Sequence, residues 1–367
     1  MKKYKIFVIN PGSTSTKLAL YENATCLLST NVFHDSSVLI KFPKINDQLM
    51  YRMMVIQKFI EDNHVDLTGV DAVVGRGGSC YAVESGIYEV SDQLLQDTRE
   101  AKGGLYHVSM LGVQLARMVA DEYGGRVFMM DPPIVDELCD EARLTGVSGI
   151  YRKAVSHALN EKACAKHHAR VMHQDYDQVN YIVCHIDGGI SITAHRHGRM
   201  IDGNDAGGGE GPFTPTRMGS MAVTDMLLYF KDKSPEDIRK LCYEAGGLSS
   251  YFHTSDADVI HRMVDEGDEK ATLVWQAMIY QIVKYIGAMS TALKGQVDAI
   301  LLTGGLLRFD DITNTIRKDC GWIAPVYAYP GEFEQDAMAQ GALRVLRGEE
   351  QLKEYTGKPV WSGFDWD

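Results

Sequence analysis

The amino-acid sequence predicts an α/β protein with mixed sheets, built from two similar halves. Short apolar runs typical of buried strands alternate along the chain with longer amphipathic stretches typical of helices. A strand–turn–strand element follows the apolar run Ile6–Ile9, and a second follows Tyr181–Ile186, close to half the chain further on. Two such elements indicate a duplicated architecture, and 367 residues are enough for about two domains.

The first of these elements is a hairpin whose turn is rich in groups that bind phosphate. An Asn-Pro-Gly tripeptide ends the strand, and hydroxyl side chains and one lysine follow before the next strand. Hydroxyls and backbone N–H groups in a tight turn suit polyphosphate oxygens. The turn is not a P-loop, because the chain returns as a strand instead of entering a helix. Taken alone, it could also be an ordinary polar hairpin. The candidate nucleotide-binding residues are Asn10, Gly12, Ser13, Ser15 and Lys17.

Two later turns also follow buried strands. The second hairpin turns at an Asp-Gly-Gly tripeptide, and a third apolar strand, within Val297–Phe309, runs into Thr-Gly-Gly. Glycines at such positions let a backbone approach a nucleotide closely. Each turn is a weak signal by itself, but the three in this order predict two phosphate loops facing one nucleotide cleft. The candidate residues are Asp187, Gly188, Gly189, Thr303, Gly304 and Gly305.

Composition and charge argue against several classes of partner. A net charge of −12 without any basic block disfavours nucleic acid and anionic membrane surfaces. The seven cysteines are scattered and form no C-x-x-C pair, which favours reduced thiols in a cytoplasm over disulfides or a zinc site. The apolar run near the N-terminus is too short for a signal peptide. The segment Leu273–Leu293 contains polar residues and predicts a long helix in the core or at an interface, not a membrane span.

The remaining elements are predicted from periodicity and from stop signals. A strand over Val70–Gly75 leads into a Gly-Arg-Gly-Gly turn, and a strand over Arg126–Met130 leads to Asp131 and two prolines. Three helices are expected, the first ended by a glycine pair and the second crossing between domains. Their expected bounds are Ser109–Tyr123, Lys153–His168 and Phe333–Arg347.

Together these segments resemble the phosphate and adenosine motifs of the superfamily of acetate and sugar kinases, chaperone ATPases and actin. INPGSTSTK is similar to the first signature of the acetokinase family, and HIDGGISITAHRHGRMIDG followed by EGPFTPTRMGSM resembles its butyrate kinase branch. The resemblance covers essentially the whole chain. It implies two ribonuclease-H-like, actin-like ATPase domains around the cleft. It also implies Mg²⁺-dependent phosphate transfer from ATP to a short-chain carboxylate, or from an acyl phosphate to ADP.

The resemblance further implies a domain division and an assembly. In the family the C-terminal helix folds back on the first domain. We therefore expect a first domain of residues 1–150 plus about 333–367, with the carboxylate side and the first phosphate loop. A second domain of residues 151–332 would hold the second phosphate loop and the adenosine motif. Family members associate through the second domain, so we expect a homodimer or a larger homo-oligomer, with the apolar helix Leu273–Leu293 as a candidate interface.

Two arginines are candidates for catalysis. Phosphoryl transfer to a carboxylate needs alignment and neutralisation of charge, not a protein nucleophile. Arg76 lies between glycines after a strand, where its guanidinium could clamp a carboxylate or phosphate, although a surface arginine closing a turn has the same context. Arg217 follows a stretch stiffened by two prolines, which suits the presentation of one side chain. The resemblance implies a catalytic role for both.

Three histidines join this set through the resemblance. His185 lies on a strand that is apolar on both faces, where a histidine is often a core residue. The resemblance places it beside the transferring phosphoryl group, where it would donate a hydrogen bond. His107 and His157 match other family positions near the site.

Four residues are candidates for the metal site. Asp131 could hold Mg²⁺ or orient the attacking carboxylate, or it could only form a turn. Asn10 matches a metal-binding position of the family, and so does either Glu332 or Glu334. The two glutamates also precede or begin a helix, where acidic residues are favourable without any metal, and spacing does not choose between them.

The sequence departs from acetate kinases at two places. The turn around Arg76 reads G-R-G-G-S where acetate kinases carry a bulkier His-Arg-Val-Val-His type of segment, and Asp187 stands where they have Asn. Both departures agree with the butyrate kinase branch, and the glycines beside the arginine are expected to leave more acyl space. The alternatives are an acetate or propionate kinase, a hydrolase of the same fold such as an exopolyphosphatase, and a nucleotide switch. A chaperone-like switch would need a peptide-binding domain, for which no residues remain.

Overall fold

The structure is a computed structural model that describes residues 2–366, and it divides the chain into two compact units. Unit 1 comprises Met1–Asp136 and Phe333–Asp367, and unit 2 comprises Glu137–Glu332. The boundary expected at residue 150 therefore lies within unit 2 of this division. Among the described helices, none combines the length and the apolar character that crossing a membrane requires.

Unit 1 is built on a six-stranded mixed sheet. Its strands are β1 (Lys5–Pro11), β2 (Ser15–Glu22), β3 (Thr25–Phe33), β4 (Ala72–Arg76), β5 (Ile87–Glu89) and β6 (Arg126–Met130). They lie in the order β3-β2-β1-β4-β6-β5. The first three strands form an antiparallel meander, whereas β4 runs parallel to β1 and β6 runs parallel to β4. Ile6–Ile9 are fully buried, so both faces of β1 are covered.

Helices cover this sheet and close the unit. The helix α4 (Met110–Tyr123) packs against β1, β4 and β6, and α13 (Glu334–Leu346) packs against β1, β2, β4 and β6. The chain thus returns to unit 1 after unit 2 is complete, and the last long helix contributes to the core of the first sheet. The helices are α1 (Ser36–Leu39), α2 (Leu49–Asp62), α3 (Asp92–Arg99), α4 (Met110–Tyr123) and α13 (Glu334–Leu346).

Unit 2 repeats this arrangement on a five-stranded mixed sheet. Its strands are β7 (Asn180–Ile186), β8 (Ile190–Arg196), β9 (Arg199–Gly203), β10 (Ala299–Gly304) and β11 (Val326–Pro330). The order is β11-β10-β7-β8-β9, with an antiparallel meander of β7, β8 and β9 followed by parallel β10 and β11. The meander and the two added parallel strands match those of unit 1 strand for strand. The predicted duplicated α/β fold is confirmed.

The long helix of unit 2 is mainly a core element. This helix is α11 (Glu269–Ala292), and its residues Trp275, Met278, Ile282 and Ile286 are buried in the apolar cluster that covers β7, β8 and β10. The core interpretation of the segment Leu273–Leu293 is therefore confirmed. Leu273 and Tyr280 of the same helix are exposed, and the interface expected there stays a prediction. The helices of unit 2 are α5 (Asp140–Arg143), α6 (Ala158–Val171), α7 (Val223–Phe230), α8 (Pro235–Tyr243), α9 (Leu248–Phe252), α10 (Ala257–Asp265), α11 (Glu269–Ala292) and α12 (Asp310–Cys320).

Two element bounds differ from the sequence prediction for physical reasons. The helix expected from Lys153 begins only at Ala158, because the Val155 carbonyl accepts a hydrogen bond from the Ala206 N–H (2.9 Å) and holds this stretch extended. The strand expected to end at Gly75 includes Arg76, which keeps its register with Met130 of β6. Arg76 is thus the last residue of a strand and not part of a loop.

Candidate active site

The first polar turn joins β1 to β2 and has an exposed tip. The Gly12 N–H donates to the Ser15 carbonyl (2.8 Å), which closes the turn. Ser13 and Thr14 are exposed at the tip. Lys17, the third residue of β2, is half-buried. The hydroxyls of Ser13 and Thr14 are therefore available to an anion at this tip.

A buried arginine that the sequence analysis missed supports this turn from behind. Arg52 of α2 is fully buried, and its guanidinium donates to the carbonyls of Ser13 (3.2 Å) and Ser15 (3.0 Å) and to Thr16 Oγ1 (3.0 Å). Burial lowers the pKa of Arg52 to about 10, so the side chain keeps its charge near neutral pH. The sequence signal was an arginine on the stripe that also carries Met53, Ile56 and Phe59.

The third carbonyl of the turn is occupied as well. The backbone N–H of His34 donates to the Thr14 carbonyl (2.8 Å), and the ring nitrogen Nε2 of His34 lies 2.8 Å from Thr16 Oγ1. Burial and the nearby Arg52 charge lower the pKa of His34 to about 4, so its ring is neutral. With its carbonyl oxygens bound from behind, the turn presents hydroxyls and N–H groups, which is the polarity that a phosphate requires.

Three candidate residues lie at the carboxyl ends of three adjacent parallel strands. Asn10 lies near the end of β1, Arg76 ends β4, and Asp131 directly follows β6. The registers pair Ile9 with Gly75, and Arg76 with Met130, which brings these strand ends to one edge of the sheet. In open α/β sheets, ligands bind at the carboxyl ends of parallel strands.

Arg76, Asn10 and Glu334 form a closed polar cluster at this edge. Arg76 Nη2 lies 3.0 Å from Glu334 Oε1, and Nη1 lies 3.1 Å from Oε2. Asn10 Nδ2 donates to Glu334 Oε2 (2.6 Å). Because Asn10 and Glu334 are buried, this bidentate pair fixes the plane of the guanidinium. Nη1 also donates to Asn10 Oδ1 (3.5 Å), whereas Nη2 keeps a second N–H that can donate to a substrate.

Asp131 is a buried carboxylate on strained backbone. Its φ is +37°, in the left-handed region that non-glycine residues rarely adopt. Its Oδ1 accepts hydrogen bonds from Ser85 Oγ and from the Gly86 N–H, both at 2.7 Å. Its Oδ2 is buried and has no hydrogen-bond partner within residues 2–366. Unpaired buried carboxylate oxygens are costly, which is typical of a functional position.

The glycines beside Arg76 do not widen an acyl pocket, and this expectation is wrong. A Cβ at Gly77 would lie 2.0 Å from Met129 Sδ, and a Cβ at Gly78 would lie 2.7 Å from Ser109 Oγ. The space is therefore already filled by neighbouring side chains. Ser109 in turn holds His107, whose Nδ1 lies 2.9 Å from Ser109 Oγ and accepts from the Ser109 N–H (3.2 Å).

In unit 2, the Asp-Gly-Gly turn joins β7 to β8 and is fixed by its own aspartate. Asp187 Oδ1 accepts from the Gly188 N–H (2.8 Å), and Oδ2 accepts from the Gly305 N–H (2.9 Å). Thr214 and Thr216 donate to the Gly188 carbonyl at 2.6 and 3.0 Å. The second phosphate turn and the Thr-Gly-Gly turn after β10 are thus joined directly through one carboxylate.

The glycines after β10 serve close packing within the protein. Gly304 has a φ of +112°, and a Cβ there would lie 2.3 Å from the Ile186 carbonyl oxygen. Thr303 Oγ1 donates to the Gly331 carbonyl (2.9 Å). The backbone at this turn therefore approaches β7, whereas the sequence analysis explained the glycines by approach to a nucleotide.

Arg217 lies across the second phosphate turn. A Cβ at Gly189 would lie 2.5 Å from Arg217 Cζ, so only glycine leaves room for the guanidinium. The loop that presents it is tied by the Thr214 N–H, which donates to the Arg217 carbonyl, and by Thr214 Oγ1, which accepts from the Arg217 N–H, both at 3.0 Å. Arg217 Nη1 also donates to the Ala206 carbonyl. The rigid presentation of this cation agrees with the two prolines in its sequence.

Two candidate histidines of unit 2 are stacked on each other. The rings of His157 and His185 lie 3.9 Å apart at 18°. His157 directly precedes α6 and is half-buried, whereas His185 lies on β7 and is buried. His185 Nδ1 lies 2.7 Å from Asn160 Nδ2, a partner that the sequence analysis missed. A helix start and a strand end thus place two imidazoles at one point of the unit.

The two glutamates that the sequence could not separate have different surroundings. Glu334 belongs to the cluster with Arg76 in unit 1. Glu332 belongs to unit 2, where ligand atoms of Glu332, Asp187 and His185 all lie within 4.8 Å of one another. Such a group could hold a metal ion, and two of its members are carboxylates, the ligands that Mg²⁺ prefers.

Comparison with solved structures identifies the class of fold. The structure matches the crystal structure of Porphyromonas gingivalis acetate kinase with a TM-score of 0.76 at 19% identity, covering 94% of this chain and 100% of that one. It matches a propionate kinase from Francisella tularensis subsp. tularensis SCHU S4 with a TM-score of 0.71 at 17% identity, covering 92% and 98%. The fold is thus the duplicated actin-like fold of carboxylate kinases, as predicted.

Sequence comparison then identifies the family. The chain is 40% identical over 354 residues to a probable butyrate kinase of Clostridium botulinum (strain Alaska E43 / Type E3), covering 96% of this chain and 99% of that protein. Residues 143–319 also match the model of the acetokinase family. The chain belongs to the acetokinase family, and the resemblance seen in its motifs is confirmed.

Proposed function

We propose that this protein catalyses the reversible, ATP-dependent phosphorylation of butyrate, or of a branched carboxylate of similar size, to its acyl phosphate. The observation that carries the proposal is the 40% identity, over 96% of the chain, to a protein described as a probable butyrate kinase. The polar groups at the strand ends of both units fit direct in-line transfer, because they are cations, hydroxyls and carboxylates without an activated nucleophile.

The two arginines would supply the positive charge. Arg76 would hold the substrate carboxylate through the second N–H of Nη2 while Glu334 fixes the orientation of the guanidinium (3.0 Å). Arg217 would neutralise charge that develops on the equatorial phosphoryl oxygens, next to the turn at Gly189. His185 would donate a hydrogen bond to the phosphoryl group, and Asp131 would orient the attacking carboxylate.

The turns would bind the nucleotide. The hydroxyl-rich turn of unit 1 and the Asp-Gly-Gly turn of unit 2 would bind phosphate oxygens, and the turn after β10 would contact the adenosine. His107 and His157 would line the site. The proposed nucleotide-binding residues are Asn10, Gly12, Ser13, Ser15, Lys17, Asp187, Gly188, Gly189, Thr303, Gly304 and Gly305.

The donor groups of unit 2 fit Mg²⁺. The Asp187 carboxylate is fixed by two N–H groups, and a Glu332 oxygen lies within 4.8 Å of it, so these residues would hold the ion together with water and phosphate oxygens. When bound, Mg²⁺ neutralises phosphate charge. Asn10 and Glu334 fit less well, because Glu334 is already paired with the Arg76 guanidinium (3.0 Å), whose positive charge would repel a metal ion. Asp131 retains one unpaired oxygen for such a role.

An acylhydroxamate assay tests the proposal. Purified protein with Mg-ATP, butyrate and hydroxylamine should form butyryl hydroxamate, since hydroxylamine traps the acyl phosphate. Release of inorganic phosphate is followed in parallel without carboxylate and without hydroxylamine. Carboxylate-independent phosphate release with no hydroxamate would support the hydrolase alternative and contradict the proposal. Hydroxamate formed from acetate or propionate but not from butyrate would support the second candidate, an acetate or propionate kinase.

We also propose a homo-oligomer in the cytoplasm. The segment around α7 exposes several large apolar side chains, and Leu228 is 71% exposed. A second copy of this chain is the proposed occupant of this surface, because such a contiguous apolar stretch is unfavourable in water. The cysteines are free thiols, as is usual in a reducing compartment. The apolar residues of this surface are Met221, Val223, Leu227, Leu228 and Tyr229.

A further inference from the structure

A serine hydroxyl beside His157 is fully used in hydrogen bonding. Ser191 Oγ donates to Glu161 Oε1 (3.0 Å). The same oxygen lies 2.8 Å from His157 Nδ1 and accepts from the His157 backbone N–H (3.2 Å). A hydroxyl has one proton and two lone pairs. When its proton points to the ionised Glu161, Ser191 can only accept from the ring, so His157 Nδ1 must carry a proton.

Asn160, the hydrogen-bond partner of His185, places the ring proton of His185 on the other nitrogen. Thr303 Oγ1 donates its single proton to the Gly331 carbonyl (2.9 Å), which can only accept. Thr303 Oγ1 must therefore accept from Asn160 (3.2 Å), and this requires that the amide nitrogen of Asn160 faces it. The same Asn160 Nδ2 lies 2.7 Å from His185 Nδ1, so that ring nitrogen must be the acceptor. In the neutral ring of His185 the proton is then on Nε2.

We propose that Asn160 and Glu161, neighbours in the first turn of α6, are positioning residues that hold the two stacked histidines in opposite tautomers. Asn160 acts directly on His185, and Glu161 acts on His157 through Ser191. The proposal deepens the proposed function. It makes Nε2 of His185 a donor, as a hydrogen bond to a phosphoryl oxygen requires, and it leaves Nε2 of neutral His157 an acceptor.

Burial supports the role of Glu161. Glu161, Asn160 and Ser191 are all fully buried, so no bulk water competes for their hydrogen bonds. Burial raises the pKa of Glu161 to about 7, and hydrogen bonds from hydroxyls, with Ser191 first, oppose the shift. Above that pKa the carboxylate is an acceptor only, and the proton positions deduced for His157 follow.

The test reads the tautomers directly by NMR of protein labelled with ¹⁵N-histidine, above the pKa of Glu161 and without nucleotide. The expected result is a pyrrole-type Nδ1 for His157 and a pyrrole-type Nε2 for His185. The signals are assigned with His157→Gln and His185→Gln. Asn160→Asp should move the ring proton of His185 from Nε2 to Nδ1, because the introduced carboxylate can only accept a hydrogen bond. Ser191→Ala should leave the His157 ring as a mixture of its two tautomers, and Ser191→Thr should restore the tautomer with the proton on Nδ1.

Kinetics provides a second readout. Ser191→Ala and Asn160→Asp should lower kcat by about 10- to 100-fold, the scale for partners that orient functional histidines, with little change in KM for ATP. Cys164→Ala, a buried change on the same helix, is the control for general disturbance of α6 and should keep both tautomers. The proposal would be overturned if both histidines had the same tautomer. It would also be overturned if Asn160→Asp and Ser191→Ala left the tautomers of His185 and His157 unchanged. Because the spectra need no turnover, a protein without kinase activity but with the expected tautomers would contradict only the proposed function.

Discussion

At the scale of single residues, Arg76 and Arg217 are held by different supports, and both should matter for turnover. We predict that Arg76→Ala and Arg217→Ala each lower kcat by about 10²- to 10³-fold, the loss expected for one transition-state donor. Circular dichroism should show an intact fold. Arg239→Ala removes an exposed arginine paired with Glu236 (3.0 Å) and is the control for charge alone. Near-normal turnover in either variant would exclude the role proposed for that arginine.

Arg52 offers a second prediction, because it supports the first phosphate turn without facing it. Arg52→Met leaves the Ser13 carbonyl without its donor and the Ser15 carbonyl with the Gly12 N–H alone, so the turn should lose part of its support. We expect KM for ATP to rise about tenfold, which corresponds to about 1.4 kcal/mol, and Arg52→Lys to lie in between. Lys58→Met removes an exposed cation from the same helix and should behave as wild type. Unchanged KM in Arg52→Met would refute the supporting role.

Glu161 should make stability depend on pH. Burial raises its pKa from the ordinary 4.5 to about 7, so between these values the folded protein holds a proton that the unfolded chain has lost. The stabilisation is complete below pH 4.5 and disappears as pH rises to about 7. Wild type should therefore lose up to about 3 kcal/mol of unfolding free energy relative to Glu161→Gln across this window. Urea unfolding of both proteins at several pH values measures this difference in unfolding free energy. If the difference did not change with pH, the raised pKa of Glu161 would be contradicted.

At the scale of elements, α7 and the residues before it expose more apolar surface than their own unit covers. We predict at least a dimer by light scattering at micromolar concentration, and a lower mass for Leu228→Lys, because a buried lysine would disfavour the contact. Leu27→Lys places the same change on an exposed leucine of β3 and should leave the mass unchanged. A wild-type monomer would refute the assembly, and an unchanged oligomer in Leu228→Lys would exclude this surface.

The strand–turn–strand elements could be read from the sequence because strand periodicity and turn residues are local signals. Arg52 could not be assigned, since its partners Ser13 and Ser15 lie far away in sequence and only the folded sheet brings them together. Glu332 and Glu334 were indistinguishable for the same reason. The glycines beside Arg76 were misinterpreted because their purpose, room for Met129 and Ser109, depends on packing partners that no local pattern reveals.

At the scale of the whole molecule, substrate length is the property that follows from the class of reaction. Each buried methylene contributes about 0.8 kcal/mol, or about fourfold in affinity, so butyrate should exceed acetate by roughly tenfold or more. We predict the highest kcat/KM for butyrate or isobutyrate in a series from acetate to hexanoate, with propionate and valerate behind. If acetate were best, the preference for butyrate would be wrong, although a carboxylate kinase would remain.

The contact between α4 and β4 has a consequence for engineering. A Cβ at Gly112 would lie 2.1 Å from the Arg76 carbonyl oxygen, and a Cβ at Gly75 would lie 2.3 Å from the Gly112 carbonyl oxygen. Helix and strand therefore touch backbone to backbone, with no side chain that could shrink to absorb a change. A single methyl group added at Gly112 would displace the backbone of Arg76 itself. Libraries designed to alter acyl preference should keep both glycines fixed, and random screens should recover inactive alleles at these two codons.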